Sequence, residues 1–198
     1  MRKRITCLVA CMFFWIVPTQ NRAIAASQRG SQATPSKETQ TVESGRVPRI
    51  AEEIRHELVM MPYYGVFDWL EGKVLPDGTL TLQGAVTRDT TKSDAEYRAK
   101  KVEGVSEVKN EIEVLPISPS DDAIRIAMYR AIFNYNSPLF RYATRAVPPI
   151  HIIVKNGRVT LKGFVASEMD KQLAYTAARN VSGVFEVTNE LKVDKNNY

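Results

Sequence analysis

The chain has 198 residues, 44% of them hydrophobic and 25% charged, with a formal charge of +5. That is ordinary globular usage; it allows one or two domains of roughly 100 residues each and excludes collagen-like and wholly disordered chains. The two cysteines, Cys7 and Cys11, lie in the first eleven residues, so the remainder holds no disulfide, thiolate metal site or cysteine nucleophile.

In chain order, Arg2, Lys3 and Arg4 precede an apolar run from Ile5 to Val17, stopped by Pro18 and followed by the small-x-small sequence Ala23-Ile24-Ala25. This is the layout of a cleavable secretory signal over residues 1–25, its apolar core too short for a bilayer of ~30 Å. Leu8-Val9-Ala10-Cys11 also resembles a lipoprotein box. The greasiest stretch, Met12 to Val17, follows that cysteine, which favours cleavage over lipidation at Cys11. Loss of Arg2, Lys3, Arg4 and Arg22 takes the charge from +5 to 5 − 4 = +1. The basic balance therefore belongs to export and is no footprint of nucleic-acid binding. In the mature chain, residues 26–119 carry −3 (12 Lys/Arg, 15 Asp/Glu) and residues 120–198 carry +4 (11 against 7).

Residues 26–46 are rich in Ser, Gln and Thr, lack periodic apolar residues, and read as a disordered leader. Beyond it the sequence is written twice. Residues 78–114 laid on 157–193 match at 16 of 37 positions with no gap, which predicts two copies of one small domain, at 47–115 and 120–194. A linker at 116–119, stiffened by Pro116 and Pro119, joins them, and residues 195–198 form a tail.

Each copy predicts the same elements. Ile50, Ile54 and Leu58 recur on one helix face within Pro48–Met61; Ser120-Asp121-Asp122 supplies N-cap and first-turn chemistry for a helix over Ile124, Met128 and Ile132. Asp77-Gly78 and Asn156-Gly157 are favoured in two-residue type I′ hairpin turns. The strand after each turn alternates, through Leu80, Leu82, Gly84 and Val86 in one copy and Val159, Leu161, Gly163 and Val165 in the other. Gly84 and Gly163 then mark a bulge or a close approach by the neighbouring helix. The following helix presents Ala95, Ala99 and Val102, or Ala174, Ala178 and Val181. Ser167 to Asp170 resembles its cap, with Asp for the usual Glu. Gly104 and Gly183 read as helix-closing C′ residues. A last strand carries Val108, Asn110, Ile112 and Val114, repeated as Val187, Asn189, Leu191 and Val193. The unit is α-β-β-α-β, so the chain is α+β: two tandem domains, each a three-stranded mixed sheet packed by two helices.

In their order, these residues resemble the BON domain of bacterial osmotic-stress and nodulation proteins. The resemblance rests on Leu82-Gln83-Gly84-Ala85-Val86, Ala95, Ala99, Val102, Gly104-Val105 and Val108 to Val114, and on their counterparts from Leu161 to Val193. It implies a non-catalytic module of the periplasm or envelope that attaches to phospholipid membranes or envelope partners. The long aromatic-rich connections Tyr64–Leu70 and Tyr135–Ile150 depart from the pattern.

For chemistry the sequence offers little. His56 lies among Glu52, Glu53 and Glu57 and reads as solvated, and His151 reads as an ordinary strand residue. Neither segment has the ligand spacing of a metal site, and no catalytic triad or phosphate-cradling loop is visible. The expectation is no enzyme, no cofactor, no metal and no nucleic acid. The recurring Asn110 and Asn189 read as satisfying nearby backbone groups. The candidate surface is in the second copy: Arg125, Arg130, Arg141 and Arg145 interleave with Tyr135, Phe140 and Tyr142, the mixture that meets anionic headgroups and enters the interfacial zone. The rival reading is a periplasmic interaction module whose acidic and basic copies dock on each other, with Tyr63–Leu70 packed inside or between them.

Overall fold

The computed structural model describes the backbone from Lys37 to Asp194 and side chains from Gly45 onward. The expected signal, Cys11, residues 26–36 of the leader and the tail lie outside those residues. Helix α1 spans Lys37–Val59, so it starts eleven residues before the expected Pro48, and the end of the expected leader is helical. Pro48 is exposed, and the carbonyl that its missing N–H frees can turn to water, so the helix carries through it. Strands β1 (Trp69–Val74) and β2 (Thr79–Val86), helix α2 (Asp89–Ala99) and strand β3 (Glu107–Val114) complete the first repeat. The second comprises α3 (Pro119–Ile132), a short α4 (Phe140–Ala143), β4 (Ile150–Lys155), β5 (Arg158–Val165), α5 (Glu168–Arg179), β6 (Glu186–Asn189) and β7 (Lys192–Val193).

In each sheet an antiparallel hairpin is extended by a parallel strand beyond the second helix: β1-β2-β3 and β4-β5-β6, with β7 also parallel to β5. The third strand of the second sheet thus comes in two pieces, interrupted at Glu190–Leu191. Each repeat has its own core. The first gathers Ile50, Ile54, Leu58, Leu80, Leu82, Ala95, Ala99 and Ile112, and the second Met128, Ile132, Ile150, Ile152, Leu161, Ala174, Ala178 and Leu191. The alanines let α2 and α5 lie close on their sheets. Asn110 and Asn189 act as expected: each donates to a helix carbonyl (of Lys92 and Lys171) and accepts from the backbone N–H two residues on.

All six glycines singled out have positive φ, but three local readings change. Asn156 (φ 53°) and Gly157 (φ 73°) have the positive pair a type I′ turn needs. Asp77 does not; Pro76 sets a different turn, in which Gly78 N–H bonds to Leu75 O at 3.0 Å and Gly78 alone takes positive φ. At Gly84 and Gly163 the close approach comes from the hairpin partner and not from a helix. A Cβ would stand 1.9 Å from Trp69 O or Pro149 O, and the register runs through Gly84 without an extra residue. Gly104 follows the end of α2 by five residues and closes a separate turn, in which Val105 N–H reaches Val102 O.

The start of α3 is also shifted. Ser118 is its N-cap, accepting from Asp121 N–H at 3.2 Å, with Pro119 in the first turn. Asp121, buried, instead turns its carboxylate onto the N–H groups of Asn156 and Gly157, both at 2.8 Å. It ties the start of the helix to the tip of the hairpin 35 residues on.

Candidate functional site

The connector from α1 to β1 leaves its own repeat. Val66 and Phe67 pack against the second core, and Ile152 N–H donates to Val66 O at 2.8 Å. Asp68 fixes this path: its carboxylate accepts from Thr87 N–H (2.7 Å), Thr87 Oγ1 (3.0 Å) and Gly65 N–H (3.2 Å). Its carbonyl oxygen lies 2.6 Å from His151 Nδ1. The His151 ring sits against Trp69 and Tyr64, with centroids 5.0 and 5.5 Å away. His151 is therefore no ordinary strand residue but a buried group between the repeats. Burial pushes its pKa down, and the hydrogen bonds to Asp68 and Gly65 oppose that only in part. Burial likewise raises the pKa of the Tyr64 hydroxyl. His56 is exposed, as expected.

The proposed membrane residues divide. Arg125 is buried; Nη2 donates to Val154 O at 2.8 Å and Nη1 pairs with Asp122. Tyr142 is buried too, its hydroxyl accepting from Ala166 N–H at 2.9 Å and bonded to Asp170 at 3.0 Å. Both side chains hold the fold together and leave the surface set, because each binds backbone that would otherwise be buried without a partner. Arg141 reaches outward but is held by Asp170 at 2.5 Å. That same Asp170 closes the cap of α5 with Ser167, so the expected Asp variant of the cap forms and also anchors α4. Arg130, Tyr135, Phe140 and Arg145 are exposed. Tyr135 packs edge-to-face on Phe140 at 5.2 Å.

Ile126 and Tyr129, which the sequence reading passed over, lie on the solvent face of α3, 50% and 37% exposed. With Arg130, Val66 and Phe67 they line a shallow depression of about 340 Å³. Their signal was available: both fall off the buried stripe of Ile124, Met128 and Ile132. The contribution of Val66 and Phe67 was not, since it comes from the other repeat. Among the described residues no cluster of His, Cys, Asp and Glu is arranged to hold a metal, and no helix is long and apolar enough to cross a membrane.

The BON domain model matches residues 48–116 and again 121–195, the two repeats seen in the fold. The chain belongs to the BON domain family. BON domains are non-catalytic modules of envelope- and phospholipid-associated proteins, typically periplasmic. No curated protein matches the chain. Among solved structures, CdsD of Chlamydia trachomatis, a structural protein of its type III secretion system, is 13% identical, with TM-score 0.28, over 74% of this chain and 94% of that one. The C-terminal domain of CdsD gives 13% identity and TM-score 0.27 over 72% and 96%. At those scores neither likeness bears on what the BON repeats here do.

Proposed function

We propose that this chain is a non-enzymatic envelope protein whose second BON repeat attaches to anionic phospholipid surfaces in support of envelope integrity. The observation that carries the reading is the outer face of α3, where Ile126 and Tyr129 stand exposed beside Arg130. Exposed apolar side chains cost hydration free energy unless something covers them, and the neighbouring cation favours an anionic cover. The Tyr135–Phe140 pair and Arg145 add the same chemistry, and the repeat carries net positive charge. A second reading, a periplasmic interaction module with docked repeats, draws on the Val66–Asp68 contacts with β4.

Co-sedimentation with phosphatidylglycerol and phosphatidylcholine vesicles across a salt series separates the two. Attachment to the anionic vesicles alone is expected, weakening as salt rises. Each Lys or Arg near such a surface contributes ~1 kcal/mol, so Arg130→Glu and Arg145→Glu should each lower the bound fraction about fivefold or more. Ile126→Asp should act similarly by removing apolar insertion. Equal binding to both vesicles, or to neither, overturns the membrane reading.

A further inference from the structure

A cleft of about 930 Å³ runs between the repeats along β1. Residues from both faces of that strand line it, Trp69 and Glu71 on one side and Leu70, Gly72 and Val74 on the other, so the cleft follows the strand's edge and not one of its faces. β1 is the outer strand of its sheet. Which backbone groups it turns outward follows from the register. Leu75 N–H bonds to Thr79 O at 2.9 Å, so the alternation of an antiparallel ladder makes Lys73·Thr81 and Glu71·Gln83 the bonded pairs. The N–H and C=O of Gly72 and Val74 then point away from β2, toward the cleft.

The second repeat shows what such an edge takes. Ile152 pairs with Leu161 as Gly72 pairs with Leu82, the same place in the duplicated register. Its outward N–H is bonded by the carbonyl of Val66, a residue of a connector that also sends Val66 and Phe67 into the adjacent core. Among the described residues, the first repeat's own connector reaches only the start of its edge, where the Tyr64 hydroxyl bonds the Leu70 backbone, and leaves Gly72 and Val74 uncovered. The wall there is ready-made: Val59, Leu70 and Val74 on the near side, over the buried Ile54 and Leu58, and Val147, Pro149 and Phe164 on the far side. The rim carries Arg55, Arg145 and Lys192 against Glu52, Glu71 and Asp194, signs in balance.

From this we infer that the β1 edge is a strand-addition site for an extended peptide of a partner protein, little charged and apolar at alternate positions. Main-chain bonds to Gly72 and Val74 supply the affinity, and the groove beside α1 receives every second side chain. A Cβ at Gly72 would turn into the core, 3.3 Å from Leu80 Cδ1 and 3.5 Å from Ile54 Cγ2, so a side chain there meets the first repeat's interior and not the incoming strand. The inference stands apart from the vesicle reading, which is carried by Ile126, Tyr129 and Arg130 on the outer face of α3; the two share only Arg145, on this cleft's rim.

The test uses the full chain and a fluorescein-labelled heptapeptide alternating valine and threonine, read by polarisation. Two derivatives are N-methylated, one on the valine amides and one on the threonine amides. A strand added to an edge uses only one of those sets. One derivative should therefore bind at least tenfold more weakly than the parent, while the other stays within threefold. Gly72→Pro, which removes the outward N–H, should cost at least tenfold, and Gly72→Ala less than threefold. No saturable binding of the parent peptide, or equal binding of the two methylated forms, overturns the proposal even where Gly72→Pro fails to fold.

Discussion

His151 Nδ1 and the carbonyl oxygen of Asp68 meet at 2.6 Å across 83 residues of sequence. A carbonyl only accepts, so the imidazole carries its proton on Nδ1. This bond, the Ile152–Val66 bond and the exposed ion pair of Lys155 with Glu113 connect the two repeats. Of the titratable side chains in that set, His151 is the buried one, with the Trp69 and Tyr64 rings against it.

Acid should therefore weaken the protein through His151. Its folded pKa is depressed by burial, so above the unfolded value of about 6.5 both states hold a neutral ring. As pH falls below that value the unfolded chain takes up the proton first, and stability drops until pH passes the folded value, where the loss levels off. Urea midpoints for the wild type should decline over that window, and His151→Gln should remove that part of the decline. Parallel pH profiles for the two would refute the assignment.

Phe67→Ala should act on the second repeat although the residue belongs to the first. Phe67 is partly buried against that core, 6.4 Å from the Tyr129 ring. Truncation should cost about 2 kcal/mol, less than a fully buried phenylalanine. The urea transition should also separate into two steps as the repeats uncouple. A single unchanged transition would show that the connector adds nothing.

Gly84→Ala and Gly163→Ala should each cost more than about 3 kcal/mol, because positive φ strain adds to a backbone clash that no side chain can relieve. The two added methyls would stand 1.9 Å from carbonyl oxygens. Gly65→Ala, with nothing within 4 Å of its Cβ, is the control and should stay within about 0.5 kcal/mol. Denaturant melts of the three variants decide it; similar values for all would refute the geometry.

Asp121→Ala should loosen the second hairpin. The N–H groups of Asn156 and Gly157 would lose a buried acceptor, at a cost of about 2 kcal/mol. Hydrogen exchange should accelerate at those two amides before it does at the centre of β5. Unchanged exchange there would mean that water replaces the carboxylate without loss.

The order of elements, the duplication and the two cores were legible in the chain because each rests on local periodicity: fourfold spacing in Ile50, Ile54 and Leu58, twofold in Leu80, Leu82 and Val86. The glycines were legible as special positions, but their neighbours were not. Trp69 O and Pro149 O approach Gly84 and Gly163 from a paired strand, and pairing partners are not encoded near the glycine itself. Arg125 shows the same limit. A lone arginine on a helix reads as solvated, and only the position of Val154 O turns it inward.

The sequence by itself determined that one α-β-β-α-β unit is built twice, since a hydrophobic pattern repeated at a fixed offset must bury the same faces twice. Only the tertiary structure decided that the first unit's connector completes the second unit's interior, which places His151 under cover and leaves the β1 edge facing a cleft. The physical reason is that burial between repeats depends on which surfaces meet across some 80 residues, and no local spacing of apolar side chains specifies that meeting.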